Sequence, residues 1–335
     1  MKLLELTPSG LYCPQADIFI DPWKSVDKAV ITHAHSDHSR WGMKHYLAHH
    51  HSEDVMRLRL GLDISLETVD YGEVMDINGV KVSLHPAGHI PGSAQVKLEY
   101  KGKTAVVSGD YKTENDGLSQ QFEPVRCHEF VSECTFGMPI YKWQSQKEIF
   151  EAINGWWRQN AADGRNSVVF GYSLGKAQRI INNLDLSIGE VFAHGAIWNT
   201  NQALIANGVK VVDIPKVTQE IPKSRFKGAL IIAPPSAMGS PWMKQFSPYQ
   251  TGICSGWMNI RGARRRRAAD AGFVLSDHAD WEGLISAIKA TEAQKVYLTH
   301  GSTAVFGRYL EEVEKIHAVE LKTLFEGENS NLEDS

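Results

Sequence analysis

The segment Thr32-His33-Ala34-His35-Ser36-Asp37-His38 constrains this chain more than any other, because it packs four metal-competent side chains into six residues. It follows directly on Lys28 to Ile31, a short run of β-forming residues. In an extended chain alternate residues share a side, so His33, His35 and Asp37 are expected to point together while His38 turns away. One metal would take the two alternating histidines, and a neighbouring metal would take Asp37 and His38. Imidazole and carboxylate suit zinc, and manganese where oxygen ligands are added. Four side chains and a water do not complete two metals, so further ligands must come from elsewhere.

Three later strand ends offer them. Ala87-Gly88-His89 follows a strand on a glycine turn, Ser108-Gly109-Asp110 ends the run Thr104 to Val107, and Tyr297-Leu298-Thr299-His300-Gly301 closes an apolar strand. A carboxylate placed like Asp110 can bridge two metals. Each of these residues taken alone reads equally well as a satisfied turn residue. Jointly they are what a dinuclear site needs. Asp21, in Phe19-Ile20-Asp21-Pro22, is expected to hydrogen-bond a ligand imidazole and fix its tautomer, with a turn-initiating Asp-Pro as the alternative.

A length of 335 residues allows two lobes, and 42% hydrophobic with 22% charged residues is the balance of a folded protein rather than a disordered one. No run of about 18 apolar residues and no signal-like start is visible, so neither a membrane span nor secretion is expected. Cys13, Cys127, Cys134 and Cys254 are scattered without a CxxC pair, which argues against a disulfide framework and for a reducing cytoplasm. The net charge of -4 does not favour a polyanionic partner, so any nucleic-acid binding must rest on local basic patches or bound metal.

The first third reads as short strands: Asp17 to Ile20, Lys28 to Thr32, Val80 to His85, Gln95 to Tyr100 and Thr104 to Ser108. Between about residues 145 and 210 the pattern turns to helix, strand, helix, with Gln146 to Asn160, Ser167 to Phe170 and Lys176 to Asn183, and predicts a parallel α/β lobe. The Pro- and Gly-rich stretch Ala233 to Thr251 reads as an extended connection, and the acidic tail as frayed.

The run from His33 to His38, with His89 and Asp110, resembles the metallo-β-lactamase superfamily. Ser132-Glu133-Cys134-Thr135, Ser276-Asp277-His278 and Thr299-His300-Gly301 look like the motifs of its β-CASP nucleases. Gly10-Leu11-Tyr12-Cys13-Pro14, Gly171 to Arg179 and Ser255-Gly256-Trp257-Met258 are similar to the bacterial ligase-associated DNA exonuclease group. The resemblance implies an α/β (α+β) architecture: an αββα sandwich from residues 1–140 and 255–325, a β-CASP cap inserted at 141–254, and a flexible tail at 326–335. It implies two divalent ions, Zn or Mn, with His33, His35 and His89 on one, Asp37, His38 and His300 on the other, and Asp110 bridging. Glu133 and His278 form the pair distinctive of the nuclease branch, with His278 meeting the scissile phosphate or protonating the leaving oxygen. DNA is the implied substrate, with a DNA ligase working in the same repair pathway. DNA-repair members often carry an apolar residue where His300 stands and RNA-processing members carry histidine, which keeps an RNA-processing ribonuclease open as the alternative.

Two segments bear on substrate. Arg261, Arg264, Arg265, Arg266 and Arg267 are expected to line a backbone groove with two or three of their number, the others facing solvent. Gly171-Tyr172-Ser173-Leu174-Gly175 matches the GxSxG nucleophile elbow. That reading leaves the histidine cluster without a purpose, so Ser173 and Lys176 are read instead as holding a phosphate at a helix start. Trp242, Trp257 and Trp281 suit core packing better than base stacking, and His49, His50 and His51 match no motif and read as surface or helix residues. A small-molecule metallohydrolase would leave Glu133 and His278 unused. A non-catalytic nucleic-acid-binding module would show broken ligand positions, and here each is filled.

Overall fold

The computed structural model describes residues 2–260 and 269–323. The chain divides into two compact units, one built from residues up to Lys142 and from His278 onward, the other from Trp143–Asp277. Among the described residues the secondary structure is mixed α/β, with three sheets.

The first unit holds two sheets. One runs β1 (Glu5–Thr7), β2 (Gly10–Cys13), β3 (Ile18–Ile20), β4 (Lys28–Val30), β5 (His45–His49), β6 (Leu66–Val69) in spatial order. The other contains β7 (Val74–Ile77), β8 (Val80–Pro86), β9 (Ala94–Tyr100), β10 (Lys103–Val107), β11 (Glu129–Glu133), β17 (Lys295–Thr299) and β18 (Ala318–Glu320), in the order β18-β17-β11-β10-β9-β8-β7. The strands expected from β-forming runs are therefore present, with ends shifted by one or two residues. Because strand side chains alternate, Val82, Leu84, Val96, Leu98, Val107 and Val131 meet Leu11, Ile18, Ile20, Val30 and Leu47 in one core. Their neighbours Val106, Phe130, Val296 and Leu298 face the other way. These pack on helices α5 (Trp281–Ala290) and α6 (Thr303–Glu312) through Leu284, Ile288, Phe306 and Leu310. Each such buried aliphatic contributes about 1.5–3 kcal/mol relative to exposure.

The strand directions prepare a site. β9 runs antiparallel to β8 and β10, while β10, β11 and β17 are mutually parallel. β8, β10, β11 and β17 consequently all end at one edge of the second sheet. The N–H of Ala94 donates to the Thr32 carbonyl at 2.7 Å, which ties the end of β4 to the same edge.

The second unit carries a five-stranded sheet ordered β13 (Val191–Ala193), β14 (Leu230–Ala233), β12 (Asn166–Phe170), β15 (Tyr249–Cys254), β16 (Ala271–Phe273). Every pairing in it is parallel. Both faces are covered, so β12 and β14 are buried along their whole length, without alternation between buried and exposed positions. Helices α2 (Gln146–Ala162), α3 (Lys176–Asn183) and α4 (Gly195–Ala206) supply Ile153, Trp157, Ile180 and Ile197 to one side. Phe226, Met243 and Phe246 cover the other. The stretch 233–251 is not the extended connection expected from its prolines. Pro235–Ala237 and Pro241–Phe246 form 3-10 turns, because proline pre-sets the φ of a first helical turn, and Tyr249–Cys254 is an inner strand. Pairing of β16 with β15 puts Ala271–Phe273 in this unit as well.

Candidate metal centre

The histidine-rich segment leaves β4 at Val30 and does not stay extended. The N–H groups of His38 and Ser39 both donate to the His35 carbonyl, at 3.2 and 2.7 Å, so residues 35–39 form a turn. The alternation expected for a strand therefore fails here, because the turn competes successfully for these backbone groups. The turn instead separates the side chains into two sets. His33 and His35 join His89 and Asp110, with one donor atom from each lying within 4.8 Å of all the others; Asp37 and His38 join His300 in the same sense.

Asp110 stands between the sets. Its Oδ2 lies 3.6 Å from His33 Nε2, 3.9 Å from His89 Nε2 and 3.7 Å from His38 Nε2. His89 Nε2 is 3.1 Å from His35 Nδ1, and His38 Nε2 is 3.7 Å from Asp37 Oδ2. The turns that carry these residues depend on glycine. Gly109 has φ +58 and a Cβ there would meet Thr32 at 2.6 Å; Gly88 has φ +76 and its Cβ would meet the Lys112 carbonyl oxygen at 2.2 Å.

The outer nitrogens are assigned by buried partners. Asp21 Oδ2 accepts the Thr32 hydroxyl at 2.6 Å and faces His38 Nδ1 at 2.7 Å, while its Oδ1 accepts the Thr32 N–H at 2.8 Å. With its one proton given to Asp21, the Thr32 oxygen accepts from His33 Nδ1–H, 3.1 Å away. Thr299 Oγ1 stands 3.0 Å from His300 Nδ1 in the same relation. These contacts turn the Nε2 lone pairs of His33, His38 and His300 toward the centre. Asp21 itself is held at φ 43 and His300 at φ 57, backbone strain of the kind that accumulates at functional sites.

Burial lowers His33 well below the ordinary histidine range and His300 to about 4, with the charge of His38 adding in both. Burial also opposes a charged His38, yet Asp110, Asp37 and Asp21 carry it up to about 10. Burial raises Asp110 to about 7. Protons and a divalent cation compete for such a donor set.

Glu133, the last residue of β11, faces His278 with Oε1 2.7 Å from Nδ1. The same carboxylate accepts the N–H groups of Tyr111 at 3.1 Å and Thr135 at 3.2 Å. Burial works against its charge, but His278 and these donors pull it down to about 2. His278 is buried rather than an exposed loop residue, and its ring centroid lies 4.6 Å from that of His89.

The donor set fits divalent ions. Tetrahedral zinc at about 2.0–2.1 Å from each ligand holds its donors roughly 3.4 Å apart; His89 Nε2 and His35 Nδ1 are slightly closer, at 3.1 Å, and the separations around Asp110 slightly wider, at 3.6 to 3.9 Å. His33 Nε2 and Asp110 Oδ1 are buried without a hydrogen-bond partner among the described residues, which an internal polar atom tolerates only where something else satisfies it.

No family model matches the chain. A protein of Opitutus terrae named "Probable DNA ligase" is 29% identical over 305 residues, 90% of this chain and 30% of that one. "Endoribonuclease YSH1" of Yarrowia lipolytica is 30% identical over 122 residues, 36% of this chain and 14% of that one. "Cleavage and polyadenylation specificity factor 73" of Drosophila melanogaster is 23% identical over 165 residues, 47% of this chain and 24% of that one. The chain is a homologue of β-CASP nucleases of the metallo-β-lactamase superfamily. It spans less than a third of the length of each of these relatives. A solved structure of a protein of unknown function from Enterococcus faecalis V583 shares the fold, with TM-score 0.61 and 12% identity over 89% of this chain and 80% of that one.

In this β-CASP homologue the remaining residues singled out from sequence lie elsewhere. Ser173 and Lys176 belong to the second unit, between β12 and α3 and at the start of α3. The Gln178 amide organises that turn, receiving Gly175 N–H at 2.7 Å and donating to the Ser173 carbonyl at 2.8 Å. Lys176 is fully buried, with Nζ 3.5 Å from Asp277 Oδ2 and 4.8 Å from the Tyr172 ring centre. Arg261, Arg264, Arg265, Arg266 and Arg267 lie outside the described residues, as does the tail at 326–335. Trp281 is core, edge-on to Phe306 and Tyr309. His49 is neither surface nor helical: it ends β5, buried. Sequence reasoning missed Thr32, Thr299 and Arg59. The first two are signalled by a threonine directly preceding a ligand-type histidine. Arg59 Nη1 donates to the Ala34 carbonyl at 2.6 Å, a bridge over 25 residues that no local pattern announces. Among the described residues no helix is long and apolar enough to cross a membrane.

Proposed function

We propose that this chain is a metal-dependent nuclease that hydrolyses phosphodiester bonds of DNA from an end, in the cytoplasm and in functional association with a DNA ligase. The observation that carries the reading is Asp110, one carboxylate oxygen within 3.9 Å of imidazole nitrogens from two adjoining donor sets, with the Glu133–His278 pair beside it. In this proposal the αββα sandwich of the superfamily is formed by the first unit and the β-CASP insertion by the second.

His33, His35 and His89 would hold one divalent ion, Asp37, His38 and His300 a second, and Asp110 would be shared; zinc or manganese suits these ligands. When bound, such a pair lowers the pKa of water and offsets charge developing on phosphorus. Asp21 and Thr32 keep the imidazoles in the tautomer that presents Nε2. Asp37 accepts a proton from the attacking water. As the new O–P bond forms and the bond to the leaving oxygen breaks, His278 gives its Nε2 proton to that oxygen. Its Nδ1–H stays on Glu133, whose negative charge favours the imidazolium before transfer. Ser173, Lys176, Arg261 and Arg264 remain the proposed backbone contacts, Lys176 requiring a rearrangement to reach one.

DNA is favoured by similarity along 90% of the chain to a protein named for DNA ligation. RNA is the second reading, favoured by His300 and by the similarity of about a third of the chain to endoribonucleases. The test is digestion of matched single-stranded DNA and RNA, labelled at either end, by metal-loaded protein and by Asp37→Ala. Mononucleotide release from DNA alone, lost in the variant, supports the proposal and reads out its direction. Faster cleavage of RNA replaces it with the second reading, and cleavage of neither rejects both.

A further inference from the structure

Outside the proposed centre, the first unit carries another concentration of imidazoles at the end of β5. We propose that His49, His50 and His51 form a separate site for one divalent transition ion of the zinc, nickel or copper class. One nitrogen from each lies within 4.8 Å of the other two, and the ring centroids are 4.1, 4.3 and 5.0 Å apart. A tetrahedral ion needs its donors roughly 3.4 Å apart, so the rings must close by about an ångström. His50 and His51 sit half-buried on a 3-10 turn, where side-chain rotation supplies that movement.

Two features mark these rings as more than a surface run. First, His50 Nδ1 lies 2.6 Å from Asp70 Oδ1. The negative charge facing Nδ1 favours a proton on that nitrogen over one on Nε2, which leaves the Nε2 lone pair for an ion. Second, His49 is buried and stacked on Tyr71, with ring centres 3.6 Å apart. His49 Nδ1 accepts the His51 N–H at 3.2 Å; this long capping bond is the one the ion replaces. Helix capping alone accounts for one of the three rings and leaves the carboxylate at the second unexplained.

The site touches the loop that carries His89. Ser52 Oγ donates to the Gly92 carbonyl at 3.3 Å, and Tyr71 Oη donates to the Ser93 carbonyl at 2.8 Å. Ser93 Oγ in turn accepts the His89 N–H at 3.0 Å. An ion on His49–His51 braces the support of this loop, whatever the loop's own function.

The test is zinc content after equilibrium dialysis, in a background in which His33→Ala, His38→Ala and Asp110→Ala remove donors from both ion positions of the proposed centre, so that the outcome does not depend on the nuclease reading. One equivalent is expected to remain there and to vanish when His50→Ala and His51→Ala are added, with circular dichroism unchanged. Retention of that equivalent in the combined variant, or absence of any bound zinc in the background, overturns the proposal. Should the combined variant fail to fold, diethylpyrocarbonate modification of the wild-type protein decides. Micromolar zinc is expected to reduce labelling of His50 and His51 at least tenfold, and unchanged labelling overturns the site.

Discussion

Glu133 Oε1 lies 2.7 Å from His278 Nδ1, across 145 residues of sequence. The carboxylate is buried and held by two backbone N–H groups, so it stays charged, at about 2, and it stabilises a proton on its partner. Glu133→Gln keeps the shape and removes the charge. We expect kcat for phosphodiester hydrolysis to fall about 10- to 100-fold. Removing an adjacent negative charge lowers the histidine pKa, so the alkaline limb of the pH–rate profile should move to lower pH by about one unit or more. A drop in kcat with an unmoved limb would assign the pair a structural role.

Asp21 serves His38 and Thr32 at once. Asn tolerates the φ of 43 that Asp21 adopts, so Asp21→Asn tests the charge and not the backbone. The expected outcome is metal affinity weakened about 10- to 100-fold, read by competition with a coloured chelator, with thermal unfolding of the metal-free protein little changed. Equal affinity in both proteins would remove Asp21 from the support of the site.

Gly301 follows His300 at φ +67, and a Cβ there would lie 2.2 Å from the Cys134 carbonyl oxygen, a backbone atom that does not yield easily. Gly301→Ala should cost more than about 2 kcal/mol and displace the His300 turn. Gly208, at φ +81 with nothing within 4 Å of its Cβ, is the control; Gly208→Ala should cost about 1 kcal/mol, the conformational strain alone. Denaturant unfolding of both variants separates clash from strain.

All four cysteines are free and buried. Burial pushes Cys127 and Cys254 up to about 12 and raises Cys13 and Cys134 as well. Only the thiolate reacts with a disulfide reagent, so the native protein at pH 8 should release less than one equivalent of thionitrobenzoate and the denatured protein four. These thiols are raised in the folded state, so their contribution to stability is complete below the unfolded thiol value near 9. It is lost as pH rises from there through about 12. Unfolding midpoints should fall across that window.

Local chemistry was legible in the sequence. Alternating and apolar runs of β-formers located β3, β4, β8, β9 and β10 to within one or two residues, because a short strand's burial is written in its own period. Helix α3 was located at Lys176–Asn183, and the succession of helix, strand and helix from Gln146 onward pointed to a parallel α/β lobe. Histidine and aspartate at successive strand ends marked where metal chemistry was to be sought, since few other arrangements use that density of ligand types.

Tertiary structure decided the rest. The turn at His35–Ser39 replaced the extended run: the His38 and Ser39 N–H groups close on the His35 carbonyl, while the Ala94 N–H, far along the chain, takes the Thr32 carbonyl. The relay from Asp21 through Thr32 to His33, the Arg59 bridge to Ala34 and the buried surroundings of His278 involve partners 11 to 145 residues apart. Neither propensity nor periodicity reaches that far. Residue types and spacing thus determined which groups the chain can bring to a site. Strand direction decided which of them meet, because β8, β10, β11 and β17 end at one edge only when β9 runs against its neighbours.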